Sequence, residues 1–236
     1  MSHDMSETPP PYRHGQFNWI DLNSHDMARA KAFYGALFGW EVDDVDTGGG
    51  PQYALFRKGT DIVAGVGQMS EEMMSQGVPS MWHSYINVEG IEGILTAAER
   101  RGATVVAPVM QVMDAGKMAF IQDPTGATVA FWEAGSHEGA TLVNQPSSFC
   151  WNELATRDAD RAKEFFAELF GWDYQENPHA PSVYYIIKLM GRNNGGIIQM
   201  TEEWGDVPPH WMVYFAVSDV DRDVSKLEDL GGTVHH

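Results

Sequence analysis

Between Phe17 and Trp40 the apolar positions change period once. A strand-like run, "FNWIDLN", gives way to a short polar stretch, and apolar side chains return at Ala30, Phe33, Tyr34, Leu37 and Phe38, the spacing of one helix face. Asp26 stands where a helix N-cap belongs and Gly39 where a C-terminal stop belongs, so the pattern predicts a strand and then an amphipathic helix. Three further strand-like runs follow, "WEVDDV", "YALFR" and "DIVAGVGQM", separated by the turn sequences "TGGGP" and "KGT". The unit is β-α-β-β-β. A weaker version runs from the strand "WHSYINV" through a helix with Ile91, Ile94, Leu95 and Ala98 on one face, a stop at Gly102, and the strands "ATVVA", "KMAFIQ" and "TVAFWE".

The whole cycle then restarts. "KAFYGALFGWEV" (Lys31 to Val42) returns as "KEFFAELFGWDY" (Lys163 to Tyr174), and the segments Phe17 to Asp44 and Phe149 to Glu176 share 12 of 28 residues without a gap. That distance far exceeds a solenoid repeat, so a complete folding unit has been duplicated. The pattern predicts an α+β protein of tandem βαβββ modules: a loose tail over residues 1–15, a first domain over 16–134 (modules 16–76 and 80–134), a linker over 135–147, and a second domain over 148–236.

Composition narrows the partners. With 33 acidic against 15 basic residues the net charge is −18, which opposes nucleic acid and anionic membrane surfaces through long-range repulsion. A single cysteine, Cys150, rules out an intramolecular disulfide framework and suits a reducing cytoplasm. The amino-terminal segment has no apolar run behind positive charge, so no secretory signal is expected there. Alternation turns Cys150 towards the helix-packed side as a buried thiol, and "QMSEEMMSQG", polar and following a strand, reads as a surface loop or a flap over a first-domain cavity.

The order of elements, with "AFYGALFGW" after a strand and "QDPTGATVAFWE" closing a half, resembles the vicinal oxygen chelate superfamily of glyoxalases, bleomycin-resistance proteins and extradiol dioxygenases. It is similar in particular to the two-domain, glyoxalase-like bacterial group. The resemblance implies that paired modules form a curved half-barrel around one cavity per domain. It also implies metal ligands on the first strand of each module and on the last strand. Those positions fall on Trp19, His83 and Ala130 in the first domain and on Trp151 and Met212 in the second, so His83 alone retains a ligand and a divalent metal is disfavoured.

The replacements form their own pattern. Trp19 and Asp21 alternate onto one strand face, as do Trp151 and Glu153, while His83, Tyr85 and Asn87 share a face of the neighbouring module. An indole offers a flat surface with one N–H donor, and a buried carboxylate can fix a polar group or act as a base. Simple filling by Trp and a backbone-bonded acid would give the same alternation. Two function classes follow: a protein that binds or sequesters a small organic molecule without the usual metal, or a lyase or isomerase with Asp21 as proton acceptor and His83 or Tyr85 as polarising donor. Ring-cleaving dioxygenase chemistry fits less well, since its ligand triad is missing.

The fourth module is incomplete at the C-terminus. Matching "RRGATVVAPV" to "LGGTVHH" leaves the second domain two of four strands short in that module, with an open edge that a longer natural chain or a second subunit, as in a homodimer, would cover. The first domain is expected to carry the better formed pocket.

Overall fold

A computed structural model describes residues 11–235. The first module is β1 (Phe17–Ser24), α1 (Met27–Phe38), β2 (Glu41–Val45), β3 (Tyr53–Lys58) and β4 (Asp61–Gln68), followed by a short helix α2 (Glu71–Ser75). The second is β5 (Met81–Asn87), α3 (Ile91–Arg100), β6 (Thr104–Val112), β7 (Gly116–Gln122) and β8 (Thr128–Ala134). The third is β9 (Ser148–Thr156), α4 (Ala159–Phe170), β10 (Asp173–Glu176), β11 (Tyr184–Leu189) and β12 (Arg192–Gln199); β13 (His210–Ala216) and α5 (Val220–Asp229) begin the fourth. Among the described residues no helix is long and apolar enough to cross a membrane.

The two copies of the first helix end as their sequences dictate. Asp26 accepts from the Arg29 N–H and Asp158 from the Arg161 N–H, while Gly39 and Gly171 close the C-termini at φ 70° and 67°. Only glycine adopts that left-handed conformation without strain.

Modules one and two form one eight-stranded sheet in the order β2-β3-β4-β1-β5-β8-β7-β6, joined by the antiparallel pair β1–β5. The third module and β13 form a five-stranded sheet, β10-β11-β12-β9-β13. The expected second strand of the fourth module is not seen among the described residues: residues 233–235 are outside any strand, so one strand of that module is described rather than two. The reason is visible in the second module, where β6 hydrogen-bonds only to β7. Among the described residues no counterpart of β7 stands beside residues 233–235.

Helix-bearing faces meet in the middle. Phe17 packs against Trp172 and Trp211 at ring distances of 5.7 and 5.1 Å, and Ser84 Oγ donates to Asn152 Oδ1 at 2.7 Å in a buried contact between the sheets. The opposite faces of both sheets therefore point outwards. Two segments depart from their sequence reading. Residues 135–147 are packed rather than a free linker: Ala140 is fully buried, its N–H bonds the Asn18 carbonyl, and Trp132 Nε1 donates to the His137 carbonyl at 2.8 Å. Of the expected tail, residues 1–10 lie outside the described part, and residues 11–15 are tied down by Tyr12 Oη to the Ala140 carbonyl and by Trp172 Nε1 to the Gly15 carbonyl.

Candidate functional site

The alternation of β1 brings Trp19, Asp21 and Asn23 onto the outward face of the large sheet. Asp21 pairs with His83 across β5 and with Gly65 across β4, and Trp19 pairs with Tyr85. Asp21 Oδ2 accepts from Tyr85 Oη at 2.9 Å and from Tyr53 Oη at 3.5 Å, and Tyr53 Oη in turn accepts from Trp19 Nε1 at 3.3 Å. Among the described residues no donor reaches Asp21 Oδ1. The residue is half-buried, yet loss of hydration raises its carboxyl from the ordinary 3.8 to about 6, against the lowering pull of the two phenols. Burial, and after it the Asp21 charge, push Tyr53 and Tyr85 well above the ordinary phenol value, so both stay protonated donors. Burial also lowers His83 to about 4, leaving a neutral imidazole with one N–H and one free lone pair.

The walls are aromatic. Phe120 stands edge-on to His83 at 5.2 Å and to Tyr85 at 5.7 Å. His137, from the packed segment after β8, meets the Trp19 ring at 4.5 Å, and at the other end Met73 of α2 sits 3.9 Å from Asn23 Nδ2. The methionine segment is thus partly a short helix against the site.

The small sheet repeats the constellation. Glu153 pairs with Gly196 and Met212, and Trp151 pairs with Tyr214, the same register as in the large sheet. Trp151 Nε1 donates to Tyr184 Oη at 3.0 Å, Tyr184 Oη to Glu153 Oε2 at 2.5 Å, and Tyr214 Oη to Glu153 Oε1 at 2.8 Å. One difference decides the chemistry. Both oxygens of Glu153 are engaged by tyrosines, whereas Asp21 has one oxygen left over.

Of the expected residues, Trp19, Asp21, His83 and Tyr85 come together, and Trp151 and Glu153 form the second cluster. Asn87 does not join them: at the end of β5 it donates to the Tyr12 carbonyl at 3.1 Å and faces Asn18. Cys150 is half-buried rather than buried, because a register shift between Phe149 and Trp151 turns it off the regular alternation. Ala130 pairs with Tyr85, and Glu133 is used elsewhere, accepting from the Ile91 N–H at 2.7 Å and pairing with Lys117 at 3.3 Å. Among the described residues no three His, Cys, Asp or Glu side chains converge as a metal site.

With the geometry in view, comparison with known proteins places the chain. A family model described as Glyoxalase/Bleomycin resistance protein/Dioxygenase superfamily matches residues 16–131 and 148–236. The chain belongs to this superfamily. It is 38% identical over 225 residues to "Putative glyoxylase CFP32" of Mycobacterium tuberculosis, covering 94% of this chain and 85% of that protein. It is 30% identical over 233 residues to "Anthracycline biosynthesis protein DnrV" of Streptomyces peucetius, covering 92% and 82%. Solved structures share the fold at low identity. The Mn(II)-bound glyoxalase from Novosphingobium aromaticivorans matches with TM-score 0.62 at 14% identity, covering 93% of this chain and 72% of that one. The 2,2',3-trihydroxybiphenyl 1,2-dioxygenase from Sphingomonas wittichii matches with TM-score 0.61 at 13% identity, covering 94% and 81%.

Within this superfamily member, sequence reasoning missed Tyr53, Tyr184, Gly65, Gly196, Tyr214, Phe120 and His137. A signal existed for four of them: Gly65 and Gly196 lie in the matched phrases "GVGQM" and "GIIQM", and the same offset carries Tyr53 onto Tyr184.

Proposed function

We propose that the outward face of the large sheet binds a small organic molecule between Trp19, Asp21, His83, Tyr85 and Phe120, with no divalent ion held by the usual ligand positions. The observation that carries this reading is Asp21 Oδ1, a carboxylate oxygen without a donor among the described residues in an otherwise hydrogen-bonded and aromatic setting. Half-burying such an acid costs free energy that mere filling would not need. Trp19 and Ala130 stand where the resemblance calls for metal donors and cannot supply them, so the residues do not fit that ion. The relative named for anthracycline biosynthesis supports a flat, ring-bearing ligand.

A second reading rests on one further observation, the pairing of a carboxylate at about 6 with a neutral His83 directly across the strands. Asp21 Oδ1 would take a proton from a carbon next to a carbonyl while a His83 N–H polarises that carbonyl, and would return the proton to another atom, an isomerisation with no net proton change.

Screening small aromatic molecules by tryptophan emission tests the binding reading. A ligand should quench or shift the emission of the wild type, lose most of that change in Trp19→Phe, and bind equally well with and without a chelator. Trp19→Ala should weaken binding more than His83→Ala. Loss of binding on chelation, or stoichiometric Zn, Ni, Mn or Fe retained through dialysis, would overturn it.

A further inference from the structure

The large sheet holds a carboxylate but offers it no positive partner. Of its eight strands, β1, β2, β4, β5, β6 and β8 contain neither Lys nor Arg. β3 contributes Arg57, which is ion-paired with Asp43 and also donates to the Thr60 carbonyl, and Lys58, which donates to the Pro146 carbonyl. β7 contributes Lys117, held between Glu92 and Glu133. The titratable groups around Asp21 are Tyr53 from β3, His83 and Tyr85 from β5, and, beyond Trp19, His137 from the segment after β8. None supplies a positive charge at neutral pH, since burial also holds His137 low, at about 4.

The arrangement is asymmetric in a way that selects ligands. The free Oδ1 accepts a hydrogen bond and carries negative charge, and aromatic rings stand beside it, those of Trp19 and Tyr85 buried in the sheet face and that of Phe120 half-buried. Aromatic faces favour cations, and a carboxylate short of a countercharge favours them more. An anionic ligand meets the repulsion of Asp21 with no cation beside it as an offset.

We infer that this site selects flat organic molecules carrying a protonated amine, with the ammonium on Asp21 Oδ1 and the ring system against the aromatic wall, and discriminates against carboxylates and phosphates. The inference rests on the binding reading above and adds the charge of the ligand to it. The small sheet provides an internal control, because Glu153 already has both oxygens engaged.

Three probes on one ring system test it by titration calorimetry: 1-naphthylmethylamine, protonated near neutral pH, 1-naphthalenemethanol, and 1-naphthoate. At neutral pH and physiological salt the amine should bind about tenfold or more tighter than the alcohol, the scale of a charge-assisted hydrogen bond, and the naphthoate weakest. Asp21→Asn should bring amine and alcohol level, with circular dichroism and thermal unfolding reporting that the variant is folded. Glu153→Gln should keep the preference. Lowering the pH to about 5 should erode the preference in the wild type as Asp21 takes up its proton. Naphthoate binding as tightly as the amine, or an amine preference that persists in Asp21→Asn and so stems from the overall negative charge, overturns the inference while the binding reading stands. Failure of all three probes at millimolar concentration removes the binding reading itself.

Discussion

Asp21 and Glu153 stand at the same register position of two copies of one strand, yet they do different things. One extra methylene lets Glu153 reach between Tyr184 and Tyr214 with both oxygens, while the shorter Asp21 meets its two phenols with a single oxygen. The alternation that put an indole and a carboxylate on one face was legible in "FNWID" and "FCWNE". Which oxygen each phenol meets was not, because that depends on residues from strands far along the chain. The half-buried carboxyl makes stability depend on pH with a definite sign. Its folded value of about 6 lies above the ordinary 3.8, so between these values the folded chain keeps a proton that the unfolded chain has released. The stability this gives is fully present below about pH 4 and is lost as pH rises through about 6. His83 acts oppositely: with a folded value of about 4 against 6.5, its contribution is present above 6.5 and lost as pH falls towards 4. Asp21→Asn should therefore gain stability relative to wild type across pH 4 to 6 and hold a gain of about 1–2 kcal/mol at neutral pH, discounted for the partial exposure of the group. Urea unfolding at a series of pH values measures this; a pH-independent difference would show that Asp21 titrates normally.

At the level of elements, the clusters depend on two glycines that turn nothing. A Cβ at Gly65 would lie 1.9 Å from Tyr53 Oη, and one at Gly196 would lie 2.1 Å from Tyr184 Oη. These strand positions are empty so that a phenol can lie across them and reach the acid. Gly65→Ala should push the Tyr53 ring away, cost about 1–3 kcal/mol through overpacking, and remove one of the two donors to Asp21, raising its pKa further. Thermal unfolding and a carbon-13 titration of the carboxyl read both effects; an unchanged Asp21 titration would separate Tyr53 from the site. Helix faces, caps and stops were plain in the sequence because they are local. The strand-interior glycines looked like ordinary weak spots, and the segment 135–147 looked like a linker. Its packing comes from Ala140 and His137 fitting against β1 and β8, a tertiary match with no periodic signature.

On the scale of the whole molecule, the two sheets share a core and turn their cluster-bearing faces outwards, so the chain presents two separate candidate sites. The duplication and the α+β modules could be read from the repeat alone. The orientation of the two halves could not, since it is set by contacts such as Phe17 with Trp172 and Trp211 that join distant segments. In the small sheet β13 is an outer strand, Tyr214 is 43% exposed, and the carboxylate is already satisfied. The large sheet has strands on both sides of its cluster and keeps an acceptor free. We therefore propose that the first domain binds the ligand and that the cluster in the second serves packing. Calorimetric titration with the tightest amine-bearing aromatic ligand from the emission screen, on wild type, Asp21→Asn and Glu153→Gln, tests that proposal. One ligand per chain is expected, with at least about tenfold weaker binding in Asp21→Asn and unchanged binding in Glu153→Gln. Two ligands per chain, or binding lost in Glu153→Gln and kept in Asp21→Asn, would contradict it.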